Sequence, residues 1–187
     1  MLSRDRLYRD PDSSLVTFLG LHDVDRFMNE RNATVDGLKL AYTLLLTARG
    51  TPLIYYGDEI GMPGGADPDN RRDFPGGWPG DARNAFEATG RTAVEQAVFE
   101  HVRTLLRLRA ERPDLRRGGT EHLHVGEQTY VYRRGRTLVA LNNDTTAAEV
   151  RLPALDLAED ALGLCPPPRR AGGGVTLVIP PRTGCVF

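Results

Sequence analysis

Leu15-Val-Thr-Phe-Leu-Gly-Leu-His22-Asp23 and Gly50-Thr-Pro52-Leu-Ile-Tyr-Tyr56-Gly57-Asp58-Glu59 are two short apolar runs, each ending in polar and ionisable residues. Neither alternates apolar with polar. Residues 15–21 and 52–56 therefore read as strands buried on both faces, the pattern of a parallel sheet. Between them, Leu38, Ala41, Leu45 and Ala48 recur three or four apart and predict a helix over 35–49. Thr34 stands where an N-cap belongs, and Gly50 where a left-handed residue ends the helix. The order strand, helix, strand is a βαβ unit and implies parallel pairing.

Working outward, residues 1–14 are polar and read as loop. After Glu59 comes a long stretch rich in Gly, Pro, Asp, Asn and Arg, and the next helix is expected at 92–112, stopped by Pro113. Structureless loops longer than about 15 residues are uncommon and often functional. Beyond residue 115 the texture changes to short runs separated by turn signals. Strands are expected at 120–125, 128–133, 137–142, 147–152, 175–179 and 184–187, with tight turns at Gly126 and Gly135. Such spacing predicts an antiparallel sandwich.

The 187 residues carry a net charge of −1, with 26% charged and 40% hydrophobic residues. That balance gives neither the basic footprint of a nucleic-acid binder nor a basic membrane-facing surface. No run approaches the roughly 18 apolar residues of a membrane span, and no apolar leader follows Met1. Cys165 and Cys185, the only cysteines, form neither a disulfide framework nor a zinc motif, and two free thiols are expected ahead of the alternative, a single bridge.

Three constellations carry chemistry. His22-Asp23 follows the first strand directly, where a barrel keeps its active site; by itself the pair also fits an ordinary charged loop. Tyr55-Tyr56-Gly57-Asp58-Glu59 sets two aromatics beside two carboxylates, as sugar sites do. Packing for Tyr55, and loop or capping roles for the acids, are the alternatives. Asp67-Pro-Asp69-Asn70-Arg71-Arg72-Asp73-Phe74 alternates acids with arginines that can grip hydroxyls, or satisfy one another. Trp78, just beyond, can stack on a sugar ring. The acidic spacing lacks the Gly and distal Glu of a calcium-binding EF-hand loop.

Together these stretches resemble the alpha-amylase family, glycoside hydrolase family 13. Phe18-Leu-Gly-Leu-His22-Asp23 with Arg26-Phe27 resembles the region at barrel strand seven, and Gly50 to Gly61 the region at strand eight. Asp67-Pro-Asp-Asn-Arg71 through Trp78 is similar to the neopullulanase and cyclomaltodextrinase branch. The resemblance implies the last two strand–helix units of a (β/α)8 barrel over 1–114, then a small β-sandwich domain over 115–187. It implies that Asp23 is catalytic, steadying an oxocarbenium-like transition state. His22, Asp67 and Arg71 would bind sugar, with Tyr56 and Trp78 as further substrate contacts. Leu21 departs from the family, which usually has Asn there.

A retaining glycosidase needs two carboxyls about 5 Å apart, a nucleophile and an acid/base. In the family these lie on strands four and five, upstream of anything in this sequence, and a whole barrel takes about 250 residues. The resemblance therefore implies a C-terminal portion of a retaining α-glucan hydrolase, inactive by itself and requiring the N-terminal half of its barrel. Its substrates would be α-glucans, maltooligosaccharides or cyclodextrins. No cofactor is expected; calcium at most would stabilise the parent fold. A transglycosylase on the same scaffold, or a non-catalytic module that binds glucan or docks on a partner, are the alternatives.

Overall fold

The computed structural model describes residues 7–10 and 15–187; the loop expected over 1–14 lies mostly outside them. Strand β1 (Val16–Phe18) and strand β2 (Thr51–Leu53) pair in parallel, Val16 opposite Thr51 and Phe18 opposite Leu53. Helix α1 (Val35–Thr47) connects them. Both strands are shorter than the apolar runs, and Tyr55 and Tyr56 lie beyond the end of β2. The Thr34 hydroxyl accepts from the Gly37 N–H at 3.0 Å and caps α1. Gly50 turns the chain at φ 95°, and a Cβ there would stand 2.8 Å from the Leu15 carbonyl oxygen. Only glycine fits so close a return beside β1.

Helix α1 buries more than one stripe. Leu38, Tyr42, Leu45 and Leu46 pack with Val98, Val102 and Leu105 of helix α2 (Ala93–Glu111). Thr92 begins α2 with a reciprocal capping box to Glu95. Pro113 does not simply stop the chain's helical run. It occupies the first turn of a short helix α3 (Pro113–Arg117), where a missing N–H costs nothing. The C-terminal carbonyls of α1 end in a buried region and need donors. Arg109 of α2 supplies them, donating to Leu46, Ala48 and Gly50 carbonyls at 2.9, 3.1 and 2.6 Å, and to the Leu115 carbonyl at 2.9 Å.

The remaining strands form two antiparallel sheets. One contains β3 (Thr120–Val125), β4 (Thr129–Arg134), β5 (Thr137–Asn142) and β9 (Thr183–Val186), in that order. The other orders β6 (Ala148–Pro153), β8 (Gly174–Ile179) and β7 (Arg169–Ala171). Leu138, Ala140 and Val131 of the first sheet meet Val150, Leu152, Val175, Leu177 and Ile179 of the second in one core. The alternate residues Val139, Leu141 and Tyr132 face Leu40 of α1. Strand β5 is thus covered on both sides, which is why all six of its residues are buried. Strand β7 was not expected; its three exposed residues, Arg-Arg-Ala, carry no apolar signal.

Cys165 and Cys185 form a disulfide, contrary to the free thiols expected. Sequence spacing does not report how a loop folds back. The Asp160 carboxylate accepts from the Cys165 N–H at 3.0 Å and from the Val186 N–H at 2.7 Å, clasping the loop onto β9. The two Cα atoms are 5.9 Å apart, inside bridging range. The bridge closes a sequence separation of 20 residues. Cys185→Ser is expected to lower stability by about 3 kcal/mol on the chain-entropy scale. Denaturant titration with and without reductant checks this; identical midpoints would contradict a bridge that constrains the chain. Among the described residues no helix is long and apolar enough to cross a membrane.

Candidate active site

Parallel strands β1 and β2 release the chain on the same side of their sheet, so the loops that follow them meet. The first loop carries His22, Asp23 and Arg26; the second runs from Tyr55 through Arg72. Two polar side chains of contrasting burial hold these loops together.

The first is Arg26, fully buried. Its Nη1 donates to Asp58 Oδ1 at 2.8 Å and to the Tyr56 carbonyl at 2.6 Å, and its Nε donates to the Asn70 carbonyl at 3.0 Å. The guanidinium also lies 4.6 Å from the Tyr55 ring centre and 4.8 Å from that of Tyr56. Asp58 lies under Gly20, where a Cβ would come within 2.5 Å of its Oδ2. Burial pushes the Asp58 carboxyl up to about 6, although hydrogen bonding and charge from Arg26 pull it down. Breaking such a buried pair by removing one partner leaves an uncompensated charge. The pair therefore acts as a rivet between the two loops. Asn70, also buried, adds to it by donating from Nδ2 to the His22 and Val24 carbonyls at 2.8 and 3.0 Å.

The second is Arg71, half exposed. Its Nε donates to the His22 carbonyl at 3.1 Å and lies 3.3 Å from Asp67 Oδ1; its Nη2 lies 3.7 Å from Asp23 Oδ1. His22 Nε2 is 3.2 Å from the same Asp23 oxygen. His22, Asp23, Asp67 and Arg71 thus form one exposed polar cluster at the ends of β1 and β2. It presents carboxylate acceptors and guanidinium and imidazole donors to solvent, an arrangement that can hydrogen-bond vicinal hydroxyls. Exposed ion pairs of this kind contribute little to stability.

Tyr56 is 40% exposed, and its hydroxyl donates to the Arg72 carbonyl, one residue beyond Arg71, at 2.9 Å. Asp69 bonds to Gly65 and Arg72 instead. The Gly65 N–H and the Arg72 guanidinium hold its carboxyl below the usual range. Trp78 stands outside this network. Its indole is 70% exposed, and its backbone N–H donates to Asp81 Oδ2 at 2.8 Å. Sequence reasoning passed over Arg26 and Asn70 as supports. Their position three residues after His22-Asp23, and inside the Asp–Arg loop, gave no hint of burial. Among the described residues no cluster of three or more His, Cys, Asp or Glu is arranged to hold a metal.

Residues 6–118 match the family described as alpha amylase, catalytic domain. Neopullulanase 2 of Thermoactinomyces vulgaris is 36% identical over 135 residues, covering 69% of this chain and 21% of the relative. The alpha-amylase of Anoxybacillus superposes with a TM-score of 0.77 at 30% identity, over 99% of this chain and 40% of that one. The alpha-amylase of Geobacillus thermoleovorans, solved with acarbose, gives 0.73 at 32% identity, over 92% of this chain and 38% of that one. The chain spans about a fifth of the length of the curated relatives it matches first. A catalytic-domain match across most of the chain, relatives in the same branch and the same fold agree: the chain belongs to the alpha-amylase family of glycoside hydrolases and is neopullulanase-like.

Proposed function

We propose that this chain forms the strand-seven and strand-eight side of the sugar cleft of a retaining α-glucan hydrolase. In this reading β1 and β2 are the last two strands of a (β/α)8 barrel, and the β sandwich is its C-terminal domain. The observation that carries it is the exposed cluster of His22, Asp23, Asp67 and Arg71 at the C-terminal ends of two parallel strands, where barrel enzymes keep their chemistry.

Asp23 would accept hydrogen bonds from the sugar and oppose the positive charge that develops as the glycosidic bond breaks. Its contacts with His22 and Arg71 hold the carboxylate in place without burying it. His22 would donate to a hydroxyl of the same sugar. Asp67 and Arg71 would grip a neighbouring glucose, and Tyr56 would lend a ring face. The nucleophile and the acid/base would come from barrel strands not contained in this sequence.

The test is completion of the barrel. The segment of Thermoactinomyces vulgaris neopullulanase 2 that precedes the matched region is fused to residues 7–187. The fusion is expected to release reducing sugar from starch, pullulan or cyclodextrin. A folded fusion that binds these glucans without cleaving them would favour a non-catalytic module instead.

A further inference from the structure

Exposed aromatic side chains are informative when the backbone that carries them is fixed, because a fixed loop keeps apolar surface in water at a cost. The loop between β2 and α2 is fixed in this way. The Ala85 N–H donates to the Pro75 carbonyl at 2.7 Å, and the Phe86 N–H donates to Asn84 Oδ1 at 3.2 Å. Arg91 spans the loop from behind. It donates to the Ala85 and Phe86 carbonyls at 2.9 Å each and to Gln96 Oε1 at 2.7 Å, with its guanidinium 3.6 Å over the Phe99 ring. Arg83 ties the loop to α2 through Glu95 at 2.6 and 2.7 Å.

On this frame Phe86 is 63% exposed and Trp78 is 70% exposed. Phe86 lies against Gly77, the residue before Trp78: a Cβ at Gly77 would stand 3.2 Å from Phe86 Cε2. The inner face of Phe86 rests on Phe74, with ring centres 4.4 Å apart. Phe74 in turn packs on the cluster of Ile60, Met62 and Ala85, next to the Asp58–Ile60 turn. The aromatic patch is thus continuous with the loop that carries Asp67 and Arg71. Phe74 follows Arg72 by two residues, and the Arg72 carbonyl is the Tyr56 acceptor.

We infer that Phe86, backed by Phe74 and carried on the same loop as Trp78, is an aromatic platform on which a glucose ring of a longer α-glucan stacks, beyond the residues that grip sugar at Arg71. The apolar C–H face of a pyranose matches an exposed ring, and its hydroxyl edge stays in water. Such a platform would set a preference for chain length and leave the bond-breaking step alone. The inference rests on the α-glucan reading above.

Trp78 is the only tryptophan of the chain, so its emission reports on the loop that carries the platform. The chain is titrated with maltoheptaose and with maltotriose, following Trp78 emission and heat in parallel. A saturable emission change is expected with maltoheptaose. Phe86→Ala should raise its half-saturation about tenfold, the scale of one lost aromatic contact, and should affect maltotriose less. Phe86→Tyr should bind as the wild type does, and Phe86→Leu as Phe86→Ala. If Phe86→Leu binds like the wild type, the ring only packs and the platform is wrong. Arg71-dependent heat with unmoved Trp78 emission and no effect of Phe86→Ala would overturn the platform and leave the glucan reading standing. No heat with either glucan would overturn both.

Discussion

The 187-residue chain, purified by itself, is expected to release no reducing sugar from starch, pullulan or cyclodextrin. Retention requires a nucleophile and an acid/base about 5 Å apart, facing each other across the scissile bond. The exposed cluster at the ends of β1 and β2 pairs its carboxylates with Arg71 and His22. That environment suits charge stabilisation and binding. Asp58 is raised to about 6 by burial, yet it is clamped under Gly20 by Arg26 and is 3% exposed. It cannot reach a bound sugar. Enzymes supply at least about 10⁶-fold over the uncatalysed reaction, so loss of the reacting pair takes the rate below detection. The check is a long incubation with a sensitive reducing-end assay. Activity that survives Asp23→Ala would contradict the account.

In the completed barrel, Asp23→Asn should lower kcat by at least about a hundredfold, the scale of removing one preorganised electrostatic contact to a transition state. The substitution keeps the shape of the side chain and removes its charge. The charge matters most when the sugar becomes oxocarbenium-like, so KM should move far less than kcat. Arg71→Ala should do the opposite. Its guanidinium is held by Asp67 and the His22 carbonyl, and in the proposed reading it grips a glucose next to the reacting one. Its loss should raise KM by about tenfold, as one charge-assisted contact implies, with kcat nearly kept. Steady-state kinetics on maltoheptaose separates the two. The reverse partition would exchange the roles.

Much of the fold was legible because local chemistry and tertiary packing agree. Thr34 and Gly50 bracket α1 in sequence as they do in space. The alternation in β8 gives the buried positions Val175, Leu177 and Ile179 directly. Agreement fails where burial comes from a partner distant in sequence. Leu40, Thr43 and Thr47 of α1 are buried, though they fall off the stripe that the helical period picks out. Leu40 packs on the β sandwich. The disulfide and β7 were likewise invisible, since a carboxylate at Asp160 and an exposed Arg-Arg-Ala run give no periodic signal.

The same limit applies to the candidate site. His22, Asp23, Asp67 and Arg71 stand in motifs, and the structure brings all four into contact. Arg26 looks like one more charged loop residue. Its role as the buried rivet between two loops depends on Asp58, Tyr56 and Asn70, which lie 30 to 44 positions away. A cation buried in this way is read from packing, not from spacing. Trp78 was singled out by type alone, and Phe86, on the same loop, was missed because nothing in the sequence marks its exposure.

Hydrogen exchange on the soluble 187-residue chain tests most directly the claim that β1 and β2 are two strands of a larger barrel. Two short parallel strands with open outer edges have few shared hydrogen bonds and should open easily. Phe18 and Leu53 are 43% and 36% exposed, as strands awaiting neighbours would be. Fast exchange is expected at β1 and β2, with slow exchange in β4, β5, β8 and β9. Joining the N-terminal barrel segment should slow β1 and β2 to the level of the sandwich. Uniformly high protection over residues 15–60 in a monodisperse monomer would contradict it, because such a chain would already be a finished domain.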